Sequence, residues 1–154
     1  MRVVGVELVA TAVRVVLVDG DVSSFTVPDR EELVLSSEDR PADYVEVRKR
    51  IVERVRSWKP EVVCIEPLEP SGMRRGVKGA TIQAAELRGV VAEASRAAGV
   101  PVEFHYRATV NANVGVRDAN AYVKDDTEWT HLGPTFLKKF RTAAVLALSR
   151  IRAS

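Results

Sequence analysis

Apolar, mostly β-branched residues fill the first part of the chain in runs that short polar breaks separate. Residues 3–9 and 13–18 are almost entirely apolar, and residues 22–27 alternate between apolar and polar side chains, which is typical of strands. The breaks at residues 11–12 and 19–21 have the length and composition of tight turns. The pattern therefore predicts three consecutive strands joined as an antiparallel meander.

Helical periodicity takes over after a polar, acidic segment at residues 28–41, within which residues 33–35 form either a short extra strand or a clamp. The pattern then predicts helices over residues 42–58, 81–98 and 135–152 and strands over residues 61–66 and 101–106. Residues 108–133 are less regular, with one short helix predicted over 110–116. Because a helix precedes each of the two later strands, these strands join the meander in parallel. The prediction is an α/β fold of order βββαβαβα: a three-stranded antiparallel meander plus two parallel strands, with helices on both faces.

The composition is that of a soluble globular protein. The 154 residues are 46% hydrophobic and 29% charged, so we expect one folded domain over residues 1–154. The single cysteine, Cys64, excludes an internal disulfide bond. The start of the chain does not resemble a leader peptide, and no apolar run has the roughly 20 residues that a membrane helix needs. We therefore expect a cytoplasmic protein that does not contact membranes.

Positive and negative residues are separated along the chain, although the net charge is only +2. Residues 19–46 hold nine acids and two arginines, whereas residues 136–154 hold five lysines and arginines and no acid. A basic terminal helix can face a phosphate backbone, but the same residues also complement the helix dipole. Charge alone therefore leaves both interpretations open.

Two acidic residues are candidates for chemistry. Glu7 lies within the first apolar run, where a carboxylate requires a cation, a hydrogen-bond partner or a metal ion. Glu66 ends the fourth predicted strand just before Pro67, where an exposed turn acid would need no further explanation. An acid in the first strand and another at the end of the fourth is the arrangement of the ribonuclease-H-like fold, in which these strands are neighbours. Such a pair offers the carboxylate oxygens that Mg²⁺ prefers.

The segments VVGVEL, VVCIEP, AAELRGVV and PVEFHY resemble, in order and spacing, the Holliday-junction-resolvase branch of the ribonuclease-H-like superfamily. The end segments MRVVGVEL and FLKKFRTA resemble more closely a small family of uncharacterised bacterial proteins assigned to the same fold. The resemblance implies that Glu7 and Glu66 take the places of the first two acids of the resolvase site and hold Mg²⁺ or Mn²⁺. It also implies DNA or RNA as a partner, a homodimer, and an Arg88-Gly89 pair that packs close to the sheet.

The resemblance fails at the start of the last helix. An active resolvase has one or two aspartates there, whereas this chain has Lys138, Lys139 and Arg141. Because two divalent ions need about three or four carboxylates, either a lysine replaces one metal ion or the site does not cleave. In the second case Lys138 or Lys139 would form an ion pair with Glu7.

Other acids are candidates for completing the metal site. Asp118, Asp125 and Asp126 lie in the segment that enters the last helix, and the Asp125-Asp126 pair is the best candidate among them. Glu69 is a further candidate. Acidic loops are more often simply solvated, so each of these residues is either a metal ligand or a solvent-exposed loop acid.

A glycine-rich basic loop follows Glu66. Arg74, Arg75 and Lys78 bring three positive charges, and the loop leads from a strand end to a helix N-terminus, which is where α/β proteins bind phosphate groups. The loop lacks the glycine spacing of a nucleotide-binding motif. It is either a solvated connector or a sequence-independent contact to nucleic-acid phosphates.

The histidines and Trp129 are expected to be structural. His105 and His131 have no cysteine or second histidine at ligand spacing, so a zinc site is not expected. Trp129 stands in a polar segment, where it either stacks on a base or covers the edge of the core, and we favour the second.

Three functions fit these observations. The first is a Mg²⁺- or Mn²⁺-dependent nuclease of resolvase type with an incomplete acidic site, in which Glu7, Glu66 and a loop aspartate hold the metal. Lys138 and Lys139 would stabilise developing charge there or replace a metal ion. The second is a catalytically inactive nucleic-acid-binding or protein-interaction module of the same fold. The third, a phosphate- or nucleotide-binding protein, ranks last because the related sugar-kinase and actin-like folds need two such halves.

Overall fold

The computed structural model of the chain describes residues 1–36, 38–68 and 79–154. Within them the elements are β1 (Arg2–Val9), β2 (Ala12–Gly20), β3 (Phe25–Val34), α1 (Arg40–Trp58), β4 (Val62–Ile65), α2 (Gly79–Ala97), β5 (Val102–Phe104), α3 (Arg107–Val114), α4 (Ala119–Lys124) and α5 (Arg141–Arg152). Two 3-10 helices, Asp126–Leu132 and Lys138–Phe140, precede α5. No helix in these ranges has both the length and the apolar composition needed to cross a membrane.

The five strands form one mixed sheet in the order β3-β2-β1-β4-β5. β2 runs antiparallel to both β1 and β3, while β4 pairs in parallel with β1 and β5 with β4. The short turn at residues 10–11 sets the register of the first hairpin, so that Val9 faces Ala12. Parallel strands need long crossovers, which α1 and α2 supply. The predicted α/β fold is thereby confirmed.

Successive residues of each strand point to opposite sides of the sheet, and different helices cover the two sides. On the α1–α2 side, strand residues such as Val4 and Ile65 pack with apolar residues of α1 and α2. On the α5 side, Val3 and Cys64 pack with residues of α3 and α5 and with Trp129. The sheet therefore lies between two apolar layers.

Helix α5 approaches the sheet very closely at Gly5. A β-carbon built at this position would lie 1.8 Å from the Ala143 carbonyl oxygen, so that any side chain here would overlap the helix backbone. Glycine therefore lets the first turn of α5 lie directly against β1. As a result Thr142, in that turn, comes beside Glu7, which follows Gly5 on the same side of the strand.

Strand β3 is longer and later than predicted. It covers residues 25–34 rather than 22–27, and the predicted short extra strand is its last part. The segment looks polar because Glu31 points to α1, where it forms ion pairs with Arg50 and Arg54. The acidic residues thus belong to the contact between an edge strand and a helix.

The segment before α5 is more regular than predicted. Residues 108–133 contain most of α3, all of α4 and a 3-10 helix, while α5 itself begins at Arg141 rather than at residue 135 because a second 3-10 turn precedes it. Trp129 is only 2% exposed and stacks on Phe136. It therefore covers the core, as predicted.

Candidate functional site

Glu7 lies near the end of β1, and its cation is Arg14 on the neighbouring strand β2. The hairpin register places the two residues opposite each other, and Arg14 Nη1 lies 3.3 Å from Glu7 Oε2. The Glu7 side chain is only 15% exposed. The expectation that Lys138 or Lys139 pairs with Glu7 is therefore wrong: the strand neighbour supplies the cation, and each lysine pairs with another acid.

Arg14 is shared between two acids. Its Nε donates to Glu32 Oε2 at 2.8 Å, and Glu32 also accepts a hydrogen bond from Lys139 Nζ at 2.9 Å. The hydrogen bonds from Arg14 and Lys139 hold the pKa of Glu32 below its ordinary value. The negative charge of Glu32 therefore balances part of the positive charge of Arg14 that faces Glu7.

Burial raises the pKa of Glu7 above its ordinary value. Arg14 lowers this pKa through its charge and hydrogen bond, and a hydrogen bond with Thr142 lowers it further, but together they do not offset the loss of solvent. The negative charge of Glu66 adds to the rise. The Glu7 carboxylate is thus less stable here than in water, and an additional cation would stabilise it.

Glu66 follows β4 directly and is held by two arginines. Arg107 Nη2, at the start of α3, donates to Glu66 Oε1 at 2.6 Å, and Arg88 Nε donates to the Glu66 carbonyl oxygen at 2.7 Å. A cavity of about 20 Å³ lies among Glu66, Arg107 and Thr142, room for about one water molecule. Arg88 packs close to the sheet as predicted, whereas Gly89 is exposed.

The aspartates before α5 have partners of their own. Asp126 accepts hydrogen bonds from Lys138 Nζ at 2.9 Å and Arg141 Nη1 at 2.7 Å, and these two cations lower its pKa. Asp125 accepts from the amide and hydroxyl of Thr127 and so caps a 3-10 helix. Among the described residues, no hydrogen bond or ion pair joins either aspartate to the two strand glutamates. The other predicted site residues lie outside the part of the chain that the structure describes: Glu69, Arg74, Arg75 and Lys78.

The donor set of this site fits one hard divalent cation and does not fit a pair. Glu7 on β1 and Glu66, which directly follows the neighbouring parallel strand β4, offer two carboxylates, and Thr142 offers a hydroxyl next to Glu7. Two divalent ions would need about three or four carboxylates. Here Arg14 and Arg107 already bring two positive charges to the glutamates.

Sequence reasoning missed Arg14, Arg107 and Thr142. Arg14 faces Glu7 because the turn lies at residues 10–11, one residue earlier than the predicted break at 11–12, and this shift sets which residues of the hairpin are opposite each other. Arg107 and Thr142 reach the site from α3 and α5, and these contacts depend on tertiary packing that no local pattern encodes. Their roles therefore emerge only from the fold.

Comparison with known proteins identifies that fold. No family model and no curated protein matches the chain. Among solved structures, RuvC of Thermus thermophilus superposes with a TM-score of 0.78 at 20% identity, covering 99% of this chain and 94% of that one. The same protein in complex with a Holliday junction substrate gives a TM-score of 0.79 at 18% identity, with the same coverage. The yeast mitochondrial Holliday junction resolvase gives 0.64 at 13% identity, covering 98% of this chain and 78% of that one.

The shared architecture extends over nearly the whole chain. It includes the two strands that carry VVGVEL and VVCIEP, the segments on which the resemblance was based. At these identities the similarity concerns the fold. The chain has the ribonuclease-H-like fold in the form that Holliday junction resolvases share.

Proposed function

We propose that the protein acts on nucleic acid as a resolvase-type nuclease with a reduced acidic site that holds one Mg²⁺ or Mn²⁺ ion. The pair Glu7 and Glu66, which neighbouring parallel strands present on the same side of the sheet, carries this proposal. Their charges interact, and burial raises the pKa of Glu7. The likeness of the chain to Holliday junction resolvases makes branched DNA the first substrate to test.

The side chains around the pair orient it. Glu7 and Glu66 would hold the ion, which when bound supplies a Lewis acid and lowers the pKa of coordinated water. Arg14 and the Thr142 hydroxyl fix the Glu7 carboxylate, and Arg107 fixes that of Glu66. Arg14 and Arg107 also provide positive charge that a second ion would otherwise bring.

Lysines and arginines would hold the phosphate backbone. Lys138 and Lys139 have side chains that are 71% and 40% exposed. Ion pairs at such exposed positions contribute little to stability and can be exchanged for phosphate contacts, where the lysines would stabilise charge developing at phosphorus. Arg74, Arg75 and Lys78 come soon after Glu66 in the chain, and we assign further phosphate contacts to them.

A second candidate is an inactive nucleic-acid-binding protein of the same fold. It is favoured by the arginines, because Arg14 lies 3.3 Å from Glu7 and Arg107 lies 2.6 Å from Glu66. If these ion pairs satisfy both carboxylates, the protein binds nucleic acid without metal and without cleavage. The raised pKa of Glu7 argues against full satisfaction, and we therefore prefer the metal-dependent function.

A combined binding and cleavage assay separates the two candidates. A labelled four-way DNA junction, single-stranded DNA and single-stranded RNA are incubated with the protein in Mg²⁺, Mn²⁺ or EDTA. We expect metal-dependent cutting that Glu7→Gln and Glu66→Gln abolish while junction binding remains. Glu53→Gln, an exposed acid on α1, serves as the matched control and keeps full activity.

The alternatives give distinct results in the same assay. Junction binding without cleavage under every metal condition would identify the inactive binder. Neither binding nor cleavage of any of the three substrates would overturn both candidates. Cleavage that persists in Glu7→Gln would place the active site elsewhere.

The proposal extends to assembly and location. A resolvase that cuts two symmetric strands of a junction needs two active sites, so we propose a homodimer on the junction. Sedimentation with and without junction DNA tests this, and a monomer in both states would contradict it. A cytoplasmic location in a bacterial cell, where DNA is accessible, completes the proposal.

A further inference from the structure

Three side chains with metal-binding atoms converge between β4 and β5. Cys64 and Glu103 are register partners on these parallel strands, and His105 follows Glu103 on the same side. The Cys64 sulfur, a Glu103 carboxylate oxygen and a His105 ring nitrogen all lie within 4.8 Å of one another. Because the cluster joins two different strands, ligand spacing along the chain did not reveal it.

Residues of α3 and α5 fix the imidazole of His105. Its Nδ1 lies 3.0 Å from Ser149 Oγ, and Asn113 Nδ2 donates to the same hydroxyl at 3.1 Å. Its Nε2 faces Glu103, 3.0 Å from Oε2. Metal-binding histidines commonly have one ring nitrogen held by such a second group, which sets the orientation of the ring.

Glu103 is charged and reaches solvent. Burial raises the pKa of its carboxyl, but hydrogen bonds and charges from His105 and Arg150 outweigh that effect and leave the pKa below its ordinary value. Its side chain is 40% exposed, whereas Cys64 and His105 are 0% and 5% exposed. An ion can therefore enter along Glu103 toward two buried ligands.

We propose that Cys64, Glu103 and His105 form a binding site for Zn²⁺ or a similar borderline transition-metal ion, separate from the carboxylate pair of the proposed nuclease site. One sulfur, one nitrogen and one oxygen are the mixed donors that Zn²⁺ accepts, whereas Mg²⁺ prefers oxygen donors. Three protein ligands leave a fourth tetrahedral position for water or another ligand. A bound ion would also tie β5 to β4, the strand that ends just before Glu66.

Coordination releases a proton. Burial raises the pKa of the Cys64 thiol to about 12, so the sulfur carries its proton in the metal-free protein. When the ion binds, the S–H bond breaks, its electron pair forms the metal–sulfur bond and the proton passes to water. The step changes no oxidation state and needs no further reactant.

Titration with Co²⁺ tests this site, because Co²⁺ bound by a thiolate has a charge-transfer absorption band that carboxylate sites lack. We expect one Co²⁺ per chain with this band, displaced by Zn²⁺. Cys64→Ala removes the band, and Glu103→Gln weakens Co²⁺ binding by about tenfold or more. Glu7→Gln and His131→Gln are the controls and keep the full band.

The same absorption band shows when the proposed metal site is wrong. No band at millimolar Co²⁺, or a band that survives in Cys64→Ala, would overturn the site. If Cys64→Ala does not fold by circular dichroism, Glu103→Gln and His105→Gln decide: unchanged Co²⁺ affinity in both overturns the site, and weakened affinity in both supports it. Added Zn²⁺ should also raise the melting temperature of the wild type more than that of Glu103→Gln.

Discussion

The two sides of the β-sheet are formed by the same strands but carry different chemistry. On the α1–α2 side, apolar residues form the buried cluster, among them Val4, Val6, Val63 and Ile65. On the α5 side, alternate positions on and just beyond the same central strands carry acids and potential metal ligands: Glu7, Cys64, Glu66, Glu103 and His105. The difference follows from the two-residue period of a strand, which sends neighbours in sequence to opposite environments.

Both sides stabilise the fold through a buried apolar cluster, and the α5 side in addition positions the polar groups. Removing an acid such as Glu7 from water costs free energy, and its raised pKa shows that the surrounding cations do not fully offset that cost. Burial of the apolar cluster on the opposite side contributes about 25 cal/mol per Å² and offsets the remainder. Changes to the polar groups on the α5 side should therefore affect metal and nucleic-acid binding, whereas changes that disturb the packing on either side should affect stability.

The largest effect is expected from Gly5→Ala. The new β-carbon would meet the Ala143 carbonyl oxygen at 1.8 Å, so α5 must move away from β1, at a cost of about 3 kcal/mol or more in the free energy of unfolding. Urea denaturation measures this loss. Gly89→Ala is the control, because its β-carbon meets open space in α2, and it should stabilise by up to about 1 kcal/mol. Equal stability of the two variants would contradict the close helix contact.

Replacing a buried serine on each side of the sheet by alanine should cause a smaller loss of stability, and the two losses can be compared directly. Ser149→Ala leaves the His105 and Asn113 nitrogens without their partner, which should cost about 1–3 kcal/mol. Ser95→Ala, in α2, removes only a hydroxyl that donates to the Val91 carbonyl, and should cost less than about 1 kcal/mol. Thermal unfolding compares the two, and a larger loss for Ser95→Ala would reverse our assignment of the polar side.

Comparing the free energy of unfolding of Glu7→Gln and of the wild type over a range of pH tests whether the charge on Glu7 opposes folding. A carboxyl whose pKa is raised in the folded state contributes most to stability at low pH and loses that contribution as the pH rises from 4.5 through the folded-state pKa. The glutamine variant should therefore equal or exceed the wild type in free energy of unfolding near neutral pH, and the difference should shrink in acid. A glutamine variant that is less stable near neutral pH would instead indicate a structural ion pair with Arg14.

The smallest effect is expected in the salt dependence of DNA binding. Replacing Arg74, Arg75 and Lys78 by glutamine should make the negative slope of log K against log salt concentration less steep by about three, roughly one for each lost phosphate contact. Fluorescence anisotropy on a junction at several salt concentrations measures the slope. The triple variant Arg48→Gln, Arg96→Gln and Lys49→Gln, on α1 and α2, is the control of equal charge. An identical slope for both triple variants would remove the basic loop from the DNA contact.

The element order and the positions of Glu7 and Glu66 could be predicted from the sequence. Valine-rich runs and short turns define the meander, and the two acids stand at strand positions that the resemblance to resolvases also marks. Local periodicity was sufficient here because each of these features involves residues close together in the chain. The boundaries that failed, in β3 and before α5, are where ion pairs or 3-10 turns replace a regular pattern.

The partners of the site residues could not be predicted in the same way. The sequence predicts Lys138 or Lys139 as the partner of Glu7, because their charges stand at the start of the last helix, yet these lysines pair with Asp126 and Glu32. Which acid each lysine can reach depends on where α5 lies against the sheet. The Cys64 cluster has no sequence signature for a related reason, since parallel strands bring together residues that a long crossover separates in sequence.

The most direct test of the account is the number of Mn²⁺ ions that each chain binds, measured by electron paramagnetic resonance. We predict one Mn²⁺ per wild-type chain, lost in Glu7→Gln and in Glu66→Gln and kept in Cys64→Ala. No Mn²⁺ binding at millimolar concentration, or binding that Glu7→Gln leaves unchanged, would contradict the claim that these two strand glutamates form a metal site.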